Sequence, residues 1–500
     1  MSLINVQNLT FNYDGSYDNI FEDASFQIDT NWKLGFTGRN GRGKTTFFKL
    51  LTKKYDYKGK ISSSVDFEYF PFEVKDNSEF AINIIQEKSG IEDYNYWKIQ
   101  KELSFLDTNE EVLYRPFSSL SGGEQVKILL VSLFLKENAF LLIDEPTNHL
   151  DIKSRKIVSD YLKSKKGFIL ISHDRQFLDN CIDHILCINK ANIEVQKGNF
   201  SSWYRNKKLK ENFEISQNKK LKKDISRLEN SAKQIAQWSN KLEKTKNSTR
   251  NSGLRPDRGY IGHKSAKMMK RSKNAEMRKQ SKIEEKSNLL KNIENSSELK
   301  ISFLKHSSNR LLNLKDVSLF YGSKKICEKI NFEVNQGDRI SLCGKNGCGK
   351  STILKFINDD LKISFKGIFE KASNLKISYV SQDTSNLSGT LRDFAKFENI
   401  DESLFKTILR KLDFSRTQFE KDISNFSGGQ KKKVLIAKSL CQQAHLYLWD
   451  EPLNFIDILS RIQIEDLILK FNPTMVFVEH DESFVKNIAN CNVSISYTQN

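Results

Sequence analysis

The chain has 500 residues, 38% of them hydrophobic, and a formal net charge of +18. That length exceeds what one hydrophobic core usually serves, so about three units of roughly 150 residues are expected. No run approaches the roughly 18 consecutive apolar residues of a membrane helix, which argues against a helical span. The seven cysteines (Cys181, Cys187, Cys327, Cys343, Cys348, Cys441, Cys491) form no C-x-x-C pair. They signal neither a disulfide framework nor a zinc or iron–sulfur site, and reduced, mostly buried thiols are expected.

The opening stretch MSLINVQNLTF alternates apolar and polar residues like a first strand and has no basic, cleavable leader pattern, so a cytoplasmic location is expected. Gly38 to Thr45 then reads G-R-N-G-R-G-K-T between the apolar LGFT and the helical TFFKLL. This strand, loop and helix context suits a phosphate cradle. Gly38, Asn40, Gly41 and Gly43 let backbone N–H groups curl around phosphate oxygens, and Lys44 brings a cation to the β- and γ-phosphates. The Thr45 hydroxyl can ligate Mg²⁺, with Thr46 next to it at the helix start. Ser121, Gly122 and Gly123 open an amphipathic helix, with Ser121 suited to the N-cap, and make a second anion-binding helix end. FLLIDEP is a buried strand ending in Asp144, expected to hold Mg²⁺ through water, and Glu145, expected to polarise the attacking water. His149, Leu150 and Asp151 follow, and FILISHD places His173 at another strand end, where it can sense the γ-phosphate.

Residues 205–307 form the connector, with a composition of its own. Between Arg205 and Lys300 there are 27 Lys and Arg against 11 Asp and Glu, which is nearly all of the chain's net charge. Leu221, Leu228, Ile235 and Leu242 recur every seven residues, with Ile225 and Ala232 between them, so a long coiled-coil helix is expected. Gly253, Pro256, Gly259 and Gly262 break the pattern, and a second helix is expected from about Ser265 to Ile293, closing an antiparallel hairpin. Its tip, at about 246–273, is basic but interleaves Leu254, Tyr260, Ile261, Met268 and Met269. A solvated charged face is the plainer reading of a basic run, yet it leaves apolar residues on an exposed loop unexplained. Folded RNA suits both features, because its phosphates take the charge and its bases stack. The candidate contacts are Arg255, Tyr260, Ile261, His263, Lys264, Lys267, Met268, Lys270 and Arg271.

Residues 308–500 repeat the first half. Gly344 to Ser351 reads G-K-N-G-C-G-K-S, which assigns Gly344, Asn346, Gly347, Gly349, Lys350, Ser351 and Thr352 to a second phosphate loop. Gln382 stands in SYVSQD, Ser427, Gly428 and Gly429 open a helix, LYLWDEP carries Asp450 and Glu451, and VFVEHD carries His480. Lys44 to Glu145 and Lys350 to Glu451 are both 101 residues apart, and Lys44 to Gly122 and Lys350 to Gly428 are both 78. Equal spacings mean a duplicated α/β domain, residues 1–204 and 308–500. Tyr13 or Tyr17, and Tyr321, are candidates to stack on adenine, with a core tyrosine equally possible for each.

On these ordered motifs both halves resemble the ATP-binding cassette ATPases, whose elements are Walker A, signature, Walker B, D-loop and switch. The resemblance implies ATP and Mg²⁺ as ligands, with Thr45, Asp144, Ser351, Gln382 and Asp450 around the metal. It makes Glu145, Glu451, His173 and His480 catalytic. It also implies two ATP molecules sandwiched head to tail. Lys44, Thr45, Asp144, Glu145 and His173 would face Ser427, Gly428 and Gly429, and the second loop would face Ser121, Gly122 and Gly123. The first half departs from the family by offering Phe72 where the metal-contacting Gln is usual, so two competent sites of unequal rate are expected. In the second half Phe426 replaces the usual signature leucine and PLNFID replaces PTNHLD.

Two cassettes joined by a charged helical hairpin resemble the ABC-F family, and GYIGHKSAKMMKRSK with WDEPLN resembles its antibiotic-resistance branch, near the Lsa and Vga types. Housekeeping members carry an extra arm in the first half, for which the equal 78-residue spacings leave no room. The resemblance implies a functional monomer that enters the exit site of the 70S ribosome. Its hairpin tip would lie near 23S rRNA and the P-site tRNA and displace lincosamides, streptogramin A or pleuromutilins. A housekeeping translation factor, the ATPase subunit of a transporter with a membrane permease, and a DNA-repair role are the competing readings.

Overall fold

The structure is a computed structural model. It describes residues 2–13, 19–148, 150–189, 192–245, 303–345, 347–360, 362–385, 387–412 and 414–495, together with His263, Lys267, Lys270, Lys273 and Met277. The chain divides into two compact units, Met1–Trp203 with Glu298–Asn500, and Tyr204–Ser297.

In the first unit each cassette has a small antiparallel sheet and a larger, mostly parallel one. In the first cassette β1 (Leu3–Phe11), β2 (Phe21–Asp29) and β4 (Lys58–Ser62) pair in the order β2-β1-β4. Its larger sheet contains β3 (Lys33–Thr37), β5 (Asp66–Phe70), β6 (Ala139–Asp144), β7 (Phe168–Ile171), β8 (His184–Asn189) and β9 (Asn192–Lys197), in the order β5-β6-β7-β3-β8-β9. The helices are α1 (Lys44–Leu51), α2 (Ala81–Ser89), α3 (Tyr96–Phe105), α4 (Gly122–Phe134), α5 (Ile152–Ser164) and α6 (Arg175–Cys181). Strands such as β7, FILI, are buried at every residue, as a parallel strand covered on both faces must be. β1 instead alternates buried and exposed positions, because one of its faces is open.

Apolar residues at helical spacing fix α1 on this sheet: Phe47 and Phe48 are fully buried, and Phe47 meets Phe36 of β3 at 5.5 Å between ring centroids. Burying each such ring contributes about 1.5–3 kcal/mol. A Phe47→Ala exchange would cost about 3–5 kcal/mol by leaving a cavity directly beneath the phosphate loop.

The second cassette repeats the plan. β10 (Arg310–Tyr321), β11 (Lys324–Asn335) and β13 (Ile363–Lys371) form the small sheet, in the order β11-β10-β13. β12 (Arg339–Cys343), β14 (Ile377–Val380), β15 (Leu446–Asp450), β16 (Met475–Val478) and β17 (Cys491–Ser494) form the larger one, in the order β14-β15-β16-β12-β17. Around it lie α8 (Lys350–Ile357), α9 (Leu391–Phe397), α10 (Glu402–Lys411), α11 (Gly428–Cys441), α12 (Ile458–Phe471) and α13 (Glu482–Ile488). Phe426, at the position usual for a signature leucine, is buried against Phe414 with ring centroids 5.6 Å apart.

This strand order builds the sites. The carboxyl ends of the neighbours β6, β7 and β3 deliver Asp144, His173 and the first phosphate loop to one crevice. β15, β16 and β12 do the same with Asp450, His480 and the second loop. Open parallel sheets bind ligands at such carboxyl ends.

The long helix α7 spans Phe200–Thr245, 46 residues and so about 70 Å at 1.5 Å per residue. Phe200 and Trp203 bury its start in the first cassette, and Leu221 and Ile225 of the expected heptads are half-buried. His263, Lys267, Lys270, Lys273 and Met277 are helical and exposed, so helix is present slightly before the expected Ser265. The pairing of a hairpin falls outside the described residues. Each of the seven cysteines is a thiol rather than half of a disulfide; four are buried, Cys343 and Cys441 are half-buried and Cys491 is exposed.

Candidate active sites

Both phosphate loops turn from a central strand into a helix through glycines in the left-handed region. Gly43 (φ 91°) caps α1, and a Cβ there would lie 2.4 Å from Ile20 Cγ2. At Gly41 (φ 79°) and Gly347 (φ 81°) a Cβ would meet nothing within 4 Å, so the loop crests border open space. Lys44 Nζ donates to the carbonyl of Gly38 at 2.7 Å, and Lys350 Nζ to those of Gly344 and Lys345 at 2.8 and 2.9 Å. Each ammonium thus closes its own loop, held over the place a phosphate would take. Burial lowers the Lys44 pKa, opposed by Asp457, Glu145 and Asp144. Thr46 and Thr352 lie in the first turns of α1 and α8.

The Thr45 hydroxyl donates to Asp144 Oδ2 at 3.1 Å, and the Ser351 hydroxyl to Asp450 Oδ1 at 2.9 Å. A hydroxyl beside a carboxylate is a hard oxygen donor set that fits Mg²⁺, an ion held by few protein ligands together with substrate phosphates and water. Among the described residues no group of three or more His, Cys, Asp or Glu is placed to hold a metal by itself. Burial raises the pKa of both Asp144 and Asp450, a tendency a bound cation would oppose.

The two glutamates share a strained backbone, Glu145 at φ 52° and Glu451 at φ 45°. A non-glycine residue there costs on the order of 1–3 kcal/mol and is often found at functional sites. Their side-chain partners differ. Glu451 Oε2 accepts from Gln382 Nε2 at 2.8 Å and from Asn454 Nδ2 at 2.7 Å, and Oε1 lies 3.5 Å from His480 Nε2. Glu145 Oε2 accepts from the His173 backbone N–H at 3.3 Å. Its buried Oε1 lies 3.3 Å from His173 Nε2 but has no hydrogen-bond partner. Burial, with Asp144 beside it, pushes the Glu145 pKa up to about 8, whereas the His480 contact holds Glu451 below the usual carboxylate value. Burial and the nearby Lys44 and Arg461 charges keep His173 neutral well below its ordinary pKa.

Strand register explains why a glutamine reaches only one of the two glutamates. Phe70 pairs with Ile143 and Val380 with Trp449, so Phe72 and Gln382 each stand two residues past equivalent positions. Gln382 reaches its glutamate, while the Phe72 ring lies 4.9 Å from the Lys88 ammonium, which is bound at 2.8 Å to Glu68.

Sequence reading missed Tyr69, whose hydroxyl donates to Asp144 Oδ2 at 3.1 Å. Its counterpart Tyr379 lies near Asp450 but its buried hydroxyl makes no hydrogen bond; comparing the two repeats position by position would have flagged the pair. Also missed was Asn40 as a link between the cassettes: its Nδ2 donates to the Phe455 carbonyl at 2.7 Å. A Cβ on Gly429 would sit 2.3 Å from that same carbonyl oxygen and 3.3 Å from Asn40 Nδ2. The loop holding Lys44 therefore meets the Ser427–Gly429 helix end of the other cassette. The counterpart contact would run through Asn346, which lies outside the described residues.

Ser121 and Ser427 cap α4 and α11 in capping boxes with Glu124 and Gln430, leaving Gly122, Gly123, Gly428 and Gly429 in or beside the first turns. Tyr13 bonds Thr46 Oγ1 at 2.8 Å, and Tyr321 ends β10, partly exposed. Of the tip candidates, His263, Lys267 and Lys270 are exposed on helix. Arg255, Tyr260, Ile261, Lys264, Met268 and Arg271 lie outside the described residues, as do Tyr17 and His149.

The family model described as ABC transporter matches residues 21–148 and again 327–454. The ATP-binding protein Uup of Buchnera aphidicola subsp. Acyrthosiphon pisum is 29% identical across 98% of this chain and 80% of its own length. The ribosome protection protein VmlR of Bacillus subtilis is 26% identical across 97% of this chain and 85% of its own. Among solved structures, the archaeal ribosome recycling factor aABCE1, in complex with the ribosomal stalk protein aP1, superposes with a TM-score of 0.62 at 18% identity. That match covers 98% of this chain and 88% of the factor. The RNase-L inhibitor gives a TM-score of 0.61, also at 18% identity. These structural likenesses establish the tandem-cassette fold.

Proposed function

The chain belongs to the ABC transporter family, whose ATP-binding domain it carries twice, and is an ATPase; we propose that it is of the ABC-F type and acts on the ribosome. The likeness to VmlR over nearly the whole chain, together with the basic connector, supports this reading. The observation that carries the composite-site part of it is the bond from Asn40 to Phe455, which joins one phosphate loop to the other cassette's signature end.

In this mechanism ATP lies between a phosphate loop and the opposite signature helix. Lys44 and Lys350 leave their loop carbonyls for the β- and γ-phosphates, and the N-termini of α11 and α4 add positive helix ends. Mg²⁺ held at Thr45 with Asp144, and at Ser351 with Gln382 and Asp450, would neutralise phosphate charge. Glu145 and Glu451 orient the attacking water and take up its proton as the terminal phosphoryl bond breaks, giving ADP and phosphate, while His173 and His480 hold these carboxylates. Tyr13 and Tyr321 are proposed to meet adenine.

Closure around ATP would set the connector, residues 205–307, for the exit site of the 70S ribosome. Its basic tip would reach 23S rRNA and the P-site tRNA and release peptidyl-transferase-centre drugs. The test is co-sedimentation of an E145Q/E451Q variant with intact ribosomes. Binding with ATP and Mg²⁺ that is lost with ADP is expected. Absence of binding with nucleotide bound, or co-purification with a membrane permease, would overturn the ribosomal reading. Replacing Tyr260, Ile261, Met268 and Met269 by Ala should preserve ATP turnover and abolish drug protection. Loss of ATP turnover instead would mean that the hairpin is chiefly structural.

A further inference from the structure

Between the two switch histidines lies a guanidinium that the mechanism above does not use. Arg155, on α5 of the first cassette, anchors its Nε to the Leu150 carbonyl at 3.1 Å, within its own D-loop. One of its terminal nitrogens donates in two directions. It reaches Asp174 Oδ2 at 3.4 Å and the backbone carbonyl of His480 at 3.2 Å, in the other cassette.

Both acceptors adjoin catalytic groups. Asp174 directly follows His173 and caps α6 by accepting from the Phe177 N–H at 3.0 Å, so it moves with the switch. His173 Nε2 lies 3.3 Å from Glu145, and His480 Nε2 lies 3.5 Å from Glu451. A continuous path therefore runs from Glu145 through His173, Asp174, Arg155 and His480 to Glu451. Arg461 is the counterpart of Arg155, and it is spent differently. It binds Asp481 at 2.8 Å and the carbonyls of Ile456 and Leu453 at 3.0 Å, all within its own cassette, and is buried. Arg155 is less enclosed: with Asp174 and His480 it lines a cavity of about 520 Å³, which leaves room for its partners to change.

We propose that Arg155 is a positioning residue that couples the two hydrolysis sites, reporting the state of the His173 switch to His480 through one shared guanidinium nitrogen. When His173 shifts as the first site turns over, Asp174 shifts with it. Arg155 then redistributes its hydrogen bonds between Asp174 and the His480 carbonyl, and the angle at which His480 meets Glu451 changes. The inference rests on the assignment of Glu145 and Glu451 as the catalytic pair.

The test is a double-mutant cycle on ATP turnover by the full chain, with E145Q, R155A and their combination, beside E451Q alone. If Arg155 carries the coupling, the effect of E145Q on the remaining site changes roughly five- to tenfold when Arg155 is removed, at the lower end of coupling between sites. R155A should alter kcat while leaving KM and the melting temperature near wild type. R155K keeps a charge but not the fork, so it should restore only part of the coupling. Effects of E145Q and R155A that multiply to within about twofold would overturn the proposal. Turnover unchanged in both E145Q and E451Q would instead overturn the assignment of the catalytic pair. Should R155A fail to fold, R155K takes its place in the cycle, and additivity there likewise overturns the coupling.

Discussion

The two ATP sites come from one duplicated plan yet hold their glutamates differently. Glu451 receives hydrogen bonds from Gln382 and Asn454 and lies near His480, whereas Glu145 receives a long bond from the His173 backbone and keeps an orphaned oxygen. An ionised carboxylate needs donors when it is buried, and without them it takes up a proton. Burial beside Asp144 thus raises the Glu145 pKa to about 8 while the His480 contact lowers that of Glu451, and Gln382 adds a donor that Phe72 cannot supply.

The largest effect should come from removing the ready glutamate. At pH 7, E451Q should cut total turnover to roughly one tenth or less, because a group with a pKa near 8 is about one-tenth ionised. E145Q should cost less, its effect being the part that reaches the second site through Arg155. Steady-state phosphate release from the two variants checks this, and equal losses would mean that the sites do not differ in readiness.

Next in size is the pH dependence. The Glu145 pKa is raised, so the ionised form that orients water is gained as pH rises. Turnover by E451Q, which leaves the first site, should therefore climb about tenfold between pH 7 and 9. The Glu451 pKa is lowered, so that carboxylate is already ionised throughout this range, and E145Q should give a flat profile. Parallel profiles for the two variants would break the comparison.

F72Q sharpens it. In the E451Q background a glutamine amide at this position should reach Glu145 as Gln382 reaches Glu451, move the rise to lower pH and increase turnover at pH 7 several-fold. An unchanged profile would place the cause in burial alone.

Much of this was legible in the chain. The tandem α/β cassettes followed from strict motif order and equal spacings, because a phosphate loop, a capped helix end and a carboxylate at a strand end each demand particular residues. The absence of glutamine at Phe72 was legible too. Its consequence was not: the orphaned Glu145 oxygen and the Lys88 contact of Phe72 depend on side-chain direction, which one-dimensional spacing does not encode. Contacts between the halves, such as Asn40 to Phe455 and Arg155 to His480, join residues 415 and 325 positions apart and could not be read from either motif alone. Arg155 carried no motif at all, since a lone arginine on a helix after a D-loop looks like solvated charge.

The smallest expected effect compares the two signature helices by packing. A methyl added at Gly429 would meet the Phe455 backbone oxygen at 2.3 Å, where the carbonyl is fixed by the positive φ of Phe455 (63°) and by its bond to Asn40. A methyl at Gly123 would meet only Leu150 Cδ2, at an ordinary 3.6 Å. Gly429→Ala should therefore cost about 1–3 kcal/mol of stability, as overpacking against a rigid group does. Gly123→Ala should stay within about 0.5 kcal/mol, because nothing has to move. Denaturant melts of the two variants without nucleotide separate packing from catalysis, since neither helix end then carries phosphate. If Gly429→Ala were as mild as Gly123→Ala, the Phe455 carbonyl would be free to yield. The close fit of the first phosphate loop against the opposite helix end would then belong to the nucleotide rather than to the protein.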